Sequence, residues 1–211
     1  MKGLYFAKSW FTRHLSIFIK LAVRKNLSPD LFTWIGVVGA ILASLALVWN
    51  LWFLVGIGLI VRLGGANLDG AVARAQGSSS KSGFILNEIG DRLSDYIIMI
   101  GLSTIAWHSA STLIFFLSIG ALITASLPTL ISISGATPTG GVRINGGPFG
   151  KTERCATIFI LSIALAFGIP KTVSILVACI LIILGSIATA VLRAKEYNKI
   201  FLEDLEGEIK L

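Results

Sequence analysis

Long apolar runs separated by short polar breaks set the pattern of this chain. A bilayer-crossing helix needs about 20 mostly apolar residues. Six stretches read as such spans: 31–49, 52–75, 83–107, 112–134, 152–169 and 172–193. Tight turns at 50–51, 108–111 and 170–171 alternate with longer Gly-, Ser- and Thr-rich loops at 76–82 and 135–151. Ahead of the spans, Trp10, Phe11, Ile17, Phe18 and Leu21 recur at helical spacing. Lys8, Arg13, Lys20, Arg24 and Lys25 accompany them, the pattern of an amphipathic helix lying in the headgroup layer. Pro29 suits the first turn of the next helix, with Ser28 as its N-cap. The expected architecture is all-α and integral to the membrane. An amphipathic helix over 1–28 precedes a six-helix domain over 29–195, and an acidic, solvated tail follows over 196–211.

Composition agrees. The 211 residues are 55% hydrophobic and 14% charged, against about 25% charged in soluble domains. The mean hydropathy is +0.84. A net charge of +7 suits an anionic membrane surface. No basic–aromatic interleaving suggests nucleic acid. Cys155 and Cys179 lie in apolar runs and read as small core residues. Lys and Arg fall mainly at the N-terminus, 74–81, 143–154 and 193–199, with Lys171 and His108 on the other side. The positive-inside rule puts the first set, and both termini, in the cytoplasm of an inner-membrane protein. Trp10, Trp34, Trp49, Trp52 and Trp107 fall near span boundaries and read as interfacial anchors. The two histidines, His14 and His108, lie far apart in this topology and do not read as ligands.

One stretch breaks the apolar pattern: ANLDGAVARAQGSSSKSGFILNEIGDRLSD, residues 66–95. Ionisable groups in membrane helices are costly unless paired or wet. Asn87, Asp91 and Asp95 are four apart and share one helix face. Asp69 lies toward the end of the preceding span, and Arg62 two turns earlier reads as a buried partner for Asp69 or Asp95. Glu88 and Arg92 form an i,i+4 pair that salt-bridging alone would explain. Converging oxygens with little His or Cys suit a hard divalent cation such as Mg²⁺. Gly70, Gly77 and Gly83 allow close backbone approach, Arg74 offers a fork for phosphate, and Gly64 and Gly65 permit tight helix packing. A second cluster, GATPTGGVRINGGPFGKTER, carries Arg143, Lys151 and Arg154. These suit an anionic acceptor or lipid phosphate, or simply cytoplasmic headgroup contacts.

The 66–95 stretch resembles the signature of the CDP-alcohol phosphatidyltransferases, D-x₂-D-G-x₂-A-R-x₈₋₉-G-x₃-D-x₃-D. Asp69-Gly70, Ala73-Arg74, an eight-residue gap, Gly83 and positions 87 and 91 fall in register. Two positions depart: Ala66 and Asn87 stand where the family has aspartates that help hold two divalent ions. The ILNE and GPFGK segments resemble a branch of small enterobacterial inner-membrane homologues in the same family.

The resemblance implies transfer of a phosphatidyl group from a CDP-linked lipid, such as CDP-diacylglycerol, to an alcohol, with release of CMP. It implies Mg²⁺ or Mn²⁺ as cofactor and a homodimer. Asp91 would be the catalytic base. Asp69, Asn87, Asp91 and Asp95 are the candidate metal ligands. Gly70, Arg74, Gly83, Arg143, Lys151 and Arg154 are the candidate substrate-binding residues, and the basic loop leans toward a phosphorylated acceptor. Two other readings are a non-catalytic relative that binds nucleotide or lipid, and a small transporter. The transporter fits poorly, because the charges cluster at one membrane face.

Overall fold

The computed structural model of the chain describes residues 15–109, 111–139 and 141–209. The described residues form seven helices: α1 (Ser16–Arg24), α2 (Pro29–Val48), α3 (Trp52–Gln76), α4 (Lys81–Trp107), α5 (Thr112–Ala136), α6 (Lys151–Ala166) and α7 (Lys171–Ile209). Much of the amphipathic segment expected over 1–28, with Trp10 and His14, lies outside the described residues. Its described part, α1, buries Ala22 and packs beside Leu15, Ile19 and Leu27 against Phe32, Leu68 and Val72. Ile17 and Phe18 face outward.

Local chemistry sets the helix ends. The Ser28 hydroxyl accepts from the Asp30 amide at 3.3 Å, and Pro29 supplies a first residue that needs no N–H partner. Gly77 ends α3 in the left-handed region, at φ 64°, where a side chain would strain the backbone. Ser80 then caps α4 by accepting from the Gly83 amide at 3.0 Å. Gly83 is therefore a first-turn residue of α4. A Cβ on it would meet the Ser80 hydroxyl at 3.1 Å.

Among the described residues, four helical segments are long and apolar enough to cross a bilayer: Pro29–Val48, Trp52–Gln76, Thr112–Ala136 and Lys171–Glu203. The other two expected spans differ for identifiable reasons. α4 has 27 residues but carries charges through its first half. α6 has 16 residues, roughly 24 Å of helix against an apolar core of about 30 Å. α7 runs unbroken to Ile209, past the expected boundary at 195.

α2 and α3 meet along a seam of small residues. A Cβ on Gly65 would lie 2.5 Å from the Gly36 amide and the Phe32 carbonyl, and one on Gly58 would lie 2.5 Å from the Ala43 amide. The backbones touch because nothing stands between them, and dispersion over that contact replaces the hydrophobic drive that lipid does not provide. Gly64, by contrast, faces open space. α2 also packs on α4, where Thr33 Cγ2 would lie 2.5 Å from a Cβ on Gly90. α2 thus lies against both helices that carry the charged stretch. Below it, Leu47, Val55, Leu102, Ala121, Ile158 and Ile182 belong to one apolar core drawn from all six helices α2 to α7.

Candidate active site

The charges of α3 and α4 are buried together. Arg62 is fully buried; its Nη2 donates to Asp95 Oδ1 at 2.6 Å, and its Nη1 stands 3.7 Å from Asp91 Oδ1. The expected partnership of Arg62 with Asp95 is thus present. The other Asp95 oxygen, Oδ2, accepts from Arg154 Nη2 at 2.5 Å and lies 3.5 Å from Arg92 Nη1. Three guanidinium groups therefore surround one carboxylate. Separating one of these partners from a buried cluster would leave an uncompensated charge in low dielectric.

Asp69 has a different environment. It is buried, and the donors on its carboxylate are neutral: the Thr33 hydroxyl reaches Oδ2 at 3.1 Å and the Gly70 amide reaches Oδ1 at 2.5 Å. Asp91 and Lys151 both lie within Coulombic reach of it. Asp91 is half-buried, and Lys151 Nζ donates to its Oδ2 at 2.7 Å. Asn87 is half-buried and its side chain makes no hydrogen bond among the described residues. Ala66 offers only a backbone, packed 3.4 Å from where a Cβ on Gly36 would sit. Arg74 is exposed and folds back over its own helix, with Nη1 3.2 Å from the place of a Cβ on Gly70.

The three basic residues of the second cluster all reach α4. Arg143 Nη2 donates to Glu88 Oε2 at 2.7 Å and its guanidinium stands 5.5 Å from the Phe84 ring centroid. Lys151 reaches Asp91, and Arg154 reaches Asp95. The expected Glu88–Arg92 pair is present at 3.5 Å.

The segment before α6 is held by a row of side chains on α7 that sequence reasoning did not single out. Arg193 donates through Nε to the Gly146 carbonyl at 2.8 Å, through Nη2 to the Asn145 carbonyl at 3.0 Å, and through Nη1 to the Pro128 carbonyl at 2.7 Å and the Ser132 hydroxyl at 2.8 Å. The Tyr197 hydroxyl donates to the Ser132 carbonyl at 2.9 Å and accepts from the Ile144 amide at 3.0 Å. Thr189 Oγ1 accepts from the Phe149 amide at 2.9 Å. The signal was available in part: 189, 193 and 197 form an i, i+4, i+8 row on one face of α7, where its apolar run gives way to charged residues.

Asp69 and Asp91 lie within Coulombic reach of each other, and Asn87 stands one turn before Asp91 on α4. Oxygen donors of this kind suit a hard divalent cation, while among the described residues no group of three or more His, Cys, Asp or Glu side chains could hold a metal ion. Both Asp95 oxygens are already engaged by arginines. Nε of Arg62, Arg143 and Arg154 is buried without a hydrogen-bond partner, and Arg92 Nε stands 3.5 Å from Glu88 Oε1. Unmet buried donors call for an acceptor. The arrangement gathers four arginines and Lys151 on the carboxylates of α4.

The chain has known relatives in both sequence and fold. The family model for CDP-alcohol phosphatidyltransferase matches residues 26–192. The phosphatidylinositol phosphate synthase of Mycolicibacterium smegmatis is 30% identical over 152 residues, 67% of this chain and 64% of that protein. The inner membrane protein YnbA of Escherichia coli is 32% identical over 116 residues, 55% of each chain. The chain thus spans less than two thirds of the length of both. Among solved structures, Mycobacterium tuberculosis phosphatidylinositol phosphate synthase with CDP-DAG bound superposes with a TM-score of 0.71 at 24% identity, covering 88% of this chain and 94% of that one. The same enzyme in complex with manganese and citrate gives 0.70 at 24% identity, covering 85% and 87%.

Proposed function

We propose, for a chain that belongs to the CDP-alcohol phosphatidyltransferase family, that it moves a phosphatidyl group from CDP-diacylglycerol to a phosphorylated alcohol and releases CMP. The observation that carries this reading is that Asp69 and Asp91 lie within Coulombic reach of each other, beside the arginines gathered on the carboxylates of α4. The naming of relatives as phosphatidylinositol phosphate synthases and the CDP-DAG bound to one of them support the donor and favour an acceptor that bears a phosphate.

The chemistry follows from the residues. A divalent ion, Mg²⁺ or Mn²⁺, held by Asp69, Asp91 and Asn87 would neutralise the pyrophosphate of the donor. Arg74, exposed beside Gly70, binds the nucleotide phosphate, and Gly70 leaves room for the nucleotide. Arg143, partly exposed, draws the acceptor phosphate toward α4, while Arg154, buried on Asp95, holds that carboxylate in place. Asp91 accepts the proton of the acceptor hydroxyl. The hydroxyl oxygen then bonds to the lipid-bearing phosphorus as the phosphoanhydride bond breaks and CMP departs. Arg193, Tyr197 and Thr189 keep the 142–149 segment in place, so the arginines are positioned before substrate arrives.

The reading includes six membrane crossings by α2 to α7, with the site facing the cytoplasm of an inner membrane and α1 in the headgroup layer. The distribution of Lys and Arg supports that orientation. The test is product identification. Purified protein is incubated with CDP-diacylglycerol, Mg²⁺ or Mn²⁺, and matched phosphorylated and unphosphorylated alcohols, and lipid products are read by mass spectrometry. A new phospholipid formed with a phosphorylated alcohol supports the proposal. Product from unphosphorylated alcohols alone contradicts the acceptor assignment, and no product from any alcohol contradicts the activity.

A further inference from the structure

We infer that Thr33 is a positioning residue that sets Asp69 on α3 against Asp91 on α4, its hydroxyl holding the first carboxylate and its methyl seated in the notch that Gly90 leaves beside the second. This rests on the proposed joint action of Asp69 and Asp91 on the CDP-linked donor. It goes beyond that reading in naming the side chain that fixes their geometry.

Among the described residues, α3 and α4 touch each other little, and both pack chiefly on α2. Their relative placement therefore passes through α2. Deeper in the bundle, the long side chain of Arg62 also links them, through Asp95. At the level of Asp69 the link is Thr33, which is 6% exposed. Its Oγ1 donates to Asp69 Oδ2 at 3.1 Å. Its Cγ2 would lie 2.5 Å from a Cβ on Gly90, so the methyl occupies space that only a glycine leaves open. Gly90 immediately precedes Asp91. One side chain thus touches the first carboxylate and the residue next to the second.

The two contacts are coupled through a single torsion. Threonine carries two heavy atoms on Cβ and is stiff about χ1. Seating the methyl against Gly90 fixes the direction of the hydroxyl toward Asp69. The Gly70 amide also donates to that carboxylate, but it belongs to the same helix. The bond from Thr33 is what ties Asp69 to a neighbouring helix. Small misplacements of reacting groups carry large factors in rate, so the wedge acts on turnover more than on donor binding.

The test is CMP release from CDP-diacylglycerol by the full-length protein in detergent, with Mn²⁺ and phosphorylated alcohols present. Both kcat and the KM for the donor are read, with melting temperature alongside. Thr33→Val keeps the shape and removes the hydroxyl; kcat should fall at least about tenfold while KM stays within about threefold. A packing role alone would leave Thr33→Val as active as the original protein. Thr33→Ser keeps the hydroxyl and should lose less. Gly90→Ala drives a Cβ into the Thr33 methyl and should lower both kcat and melting temperature. Thr33→Ser combined with Gly90→Ala should recover both, because the nearest remaining atoms, Val37 Cγ2 and Thr33 Cβ, would lie 3.8 and 3.9 Å from the new Cβ. Full kcat in Thr33→Val would overturn the inference and leave the proposed activity standing. So would a double variant no better than Gly90→Ala, and that comparison decides if Thr33→Val does not fold. No CMP release by any of these proteins, the unaltered one included, would overturn the activity and the inference with it.

Discussion

At the scale of single residues, Asp95 illustrates how position in sequence and role in space diverge. Its place one turn beyond Asp91, on the same face, made it a natural candidate ligand. The structure gives both its oxygens to arginines from α3 and α6. Those partners lie 33 and 59 residues away in sequence, so no local pattern announces them. Asp95→Ala would leave Arg154 without a carboxylate and Arg62 with only the 3.7 Å contact to Asp91, both arginines being nearly inaccessible. The expected cost is about 3–5 kcal/mol, visible as a large drop in melting temperature in detergent. Unchanged stability would contradict the account of Asp95 as the hub of a buried ion cluster. The motif residues themselves were legible, because Asp69, Gly70, Arg74, Gly83 and Asp91 are defined by spacing along two helices. Lys151 on Asp91 and Arg143 on Glu88 were not, because they depend on how a loop returns to α4.

At the scale of elements, the α2–α3 seam decides where Asp69 stands. Backbone contact at Gly65 and Gly58 brings Thr33 within hydrogen-bonding distance of Asp69. Both glycines of the pair Gly64–Gly65 looked able to permit packing, and only Gly65 does, since choosing between them requires knowing which face α2 covers. Gly65→Val would push a branched side chain into the α2 backbone, and overpacking of this kind costs about 1–3 kcal/mol or more. The expected outcome is a lowered melting temperature and loss of activity together, while Gly64→Val leaves both near the original values. Equal effects at the two positions would contradict the seam. Helix existence was readable from apolar runs and caps such as Ser28. The end of α6 was not, since the apolar run continues to Ile169 while the helix stops at Ala166, just before Gly168 in the left-handed region. The i, i+4, i+8 row of Thr189, Arg193 and Tyr197 was readable, yet its target, the 142–149 segment, was not.

At the scale of the whole molecule, the helices bring the charges of α3, α4 and α6 into one cluster. Orientation can be checked without substrate. A cysteine at Ser79, before α4, and one at His108, after it, should report opposite sides, because the 27 residues of α4 separate them. The native Cys155 and Cys179 are buried. In intact cells an impermeant thiol reagent should label His108→Cys, and should label Ser79→Cys only after the membrane is opened. The same pattern for both would contradict a crossing by α4. The claim on which everything else depends is that Asp69 and Asp91 act together on a CDP-linked lipid. It is tested most directly by CMP release from CDP-diacylglycerol in the presence of Mn²⁺ and phosphorylated alcohols, with the unaltered protein, Asp69→Asn and Asp91→Asn compared side by side. The account predicts release by the unaltered protein and its abolition by a chelator. Each variant should lose at least about a hundredfold in rate while remaining monodisperse. Release that persists in Asp91→Asn, or that ignores the chelator, would contradict it.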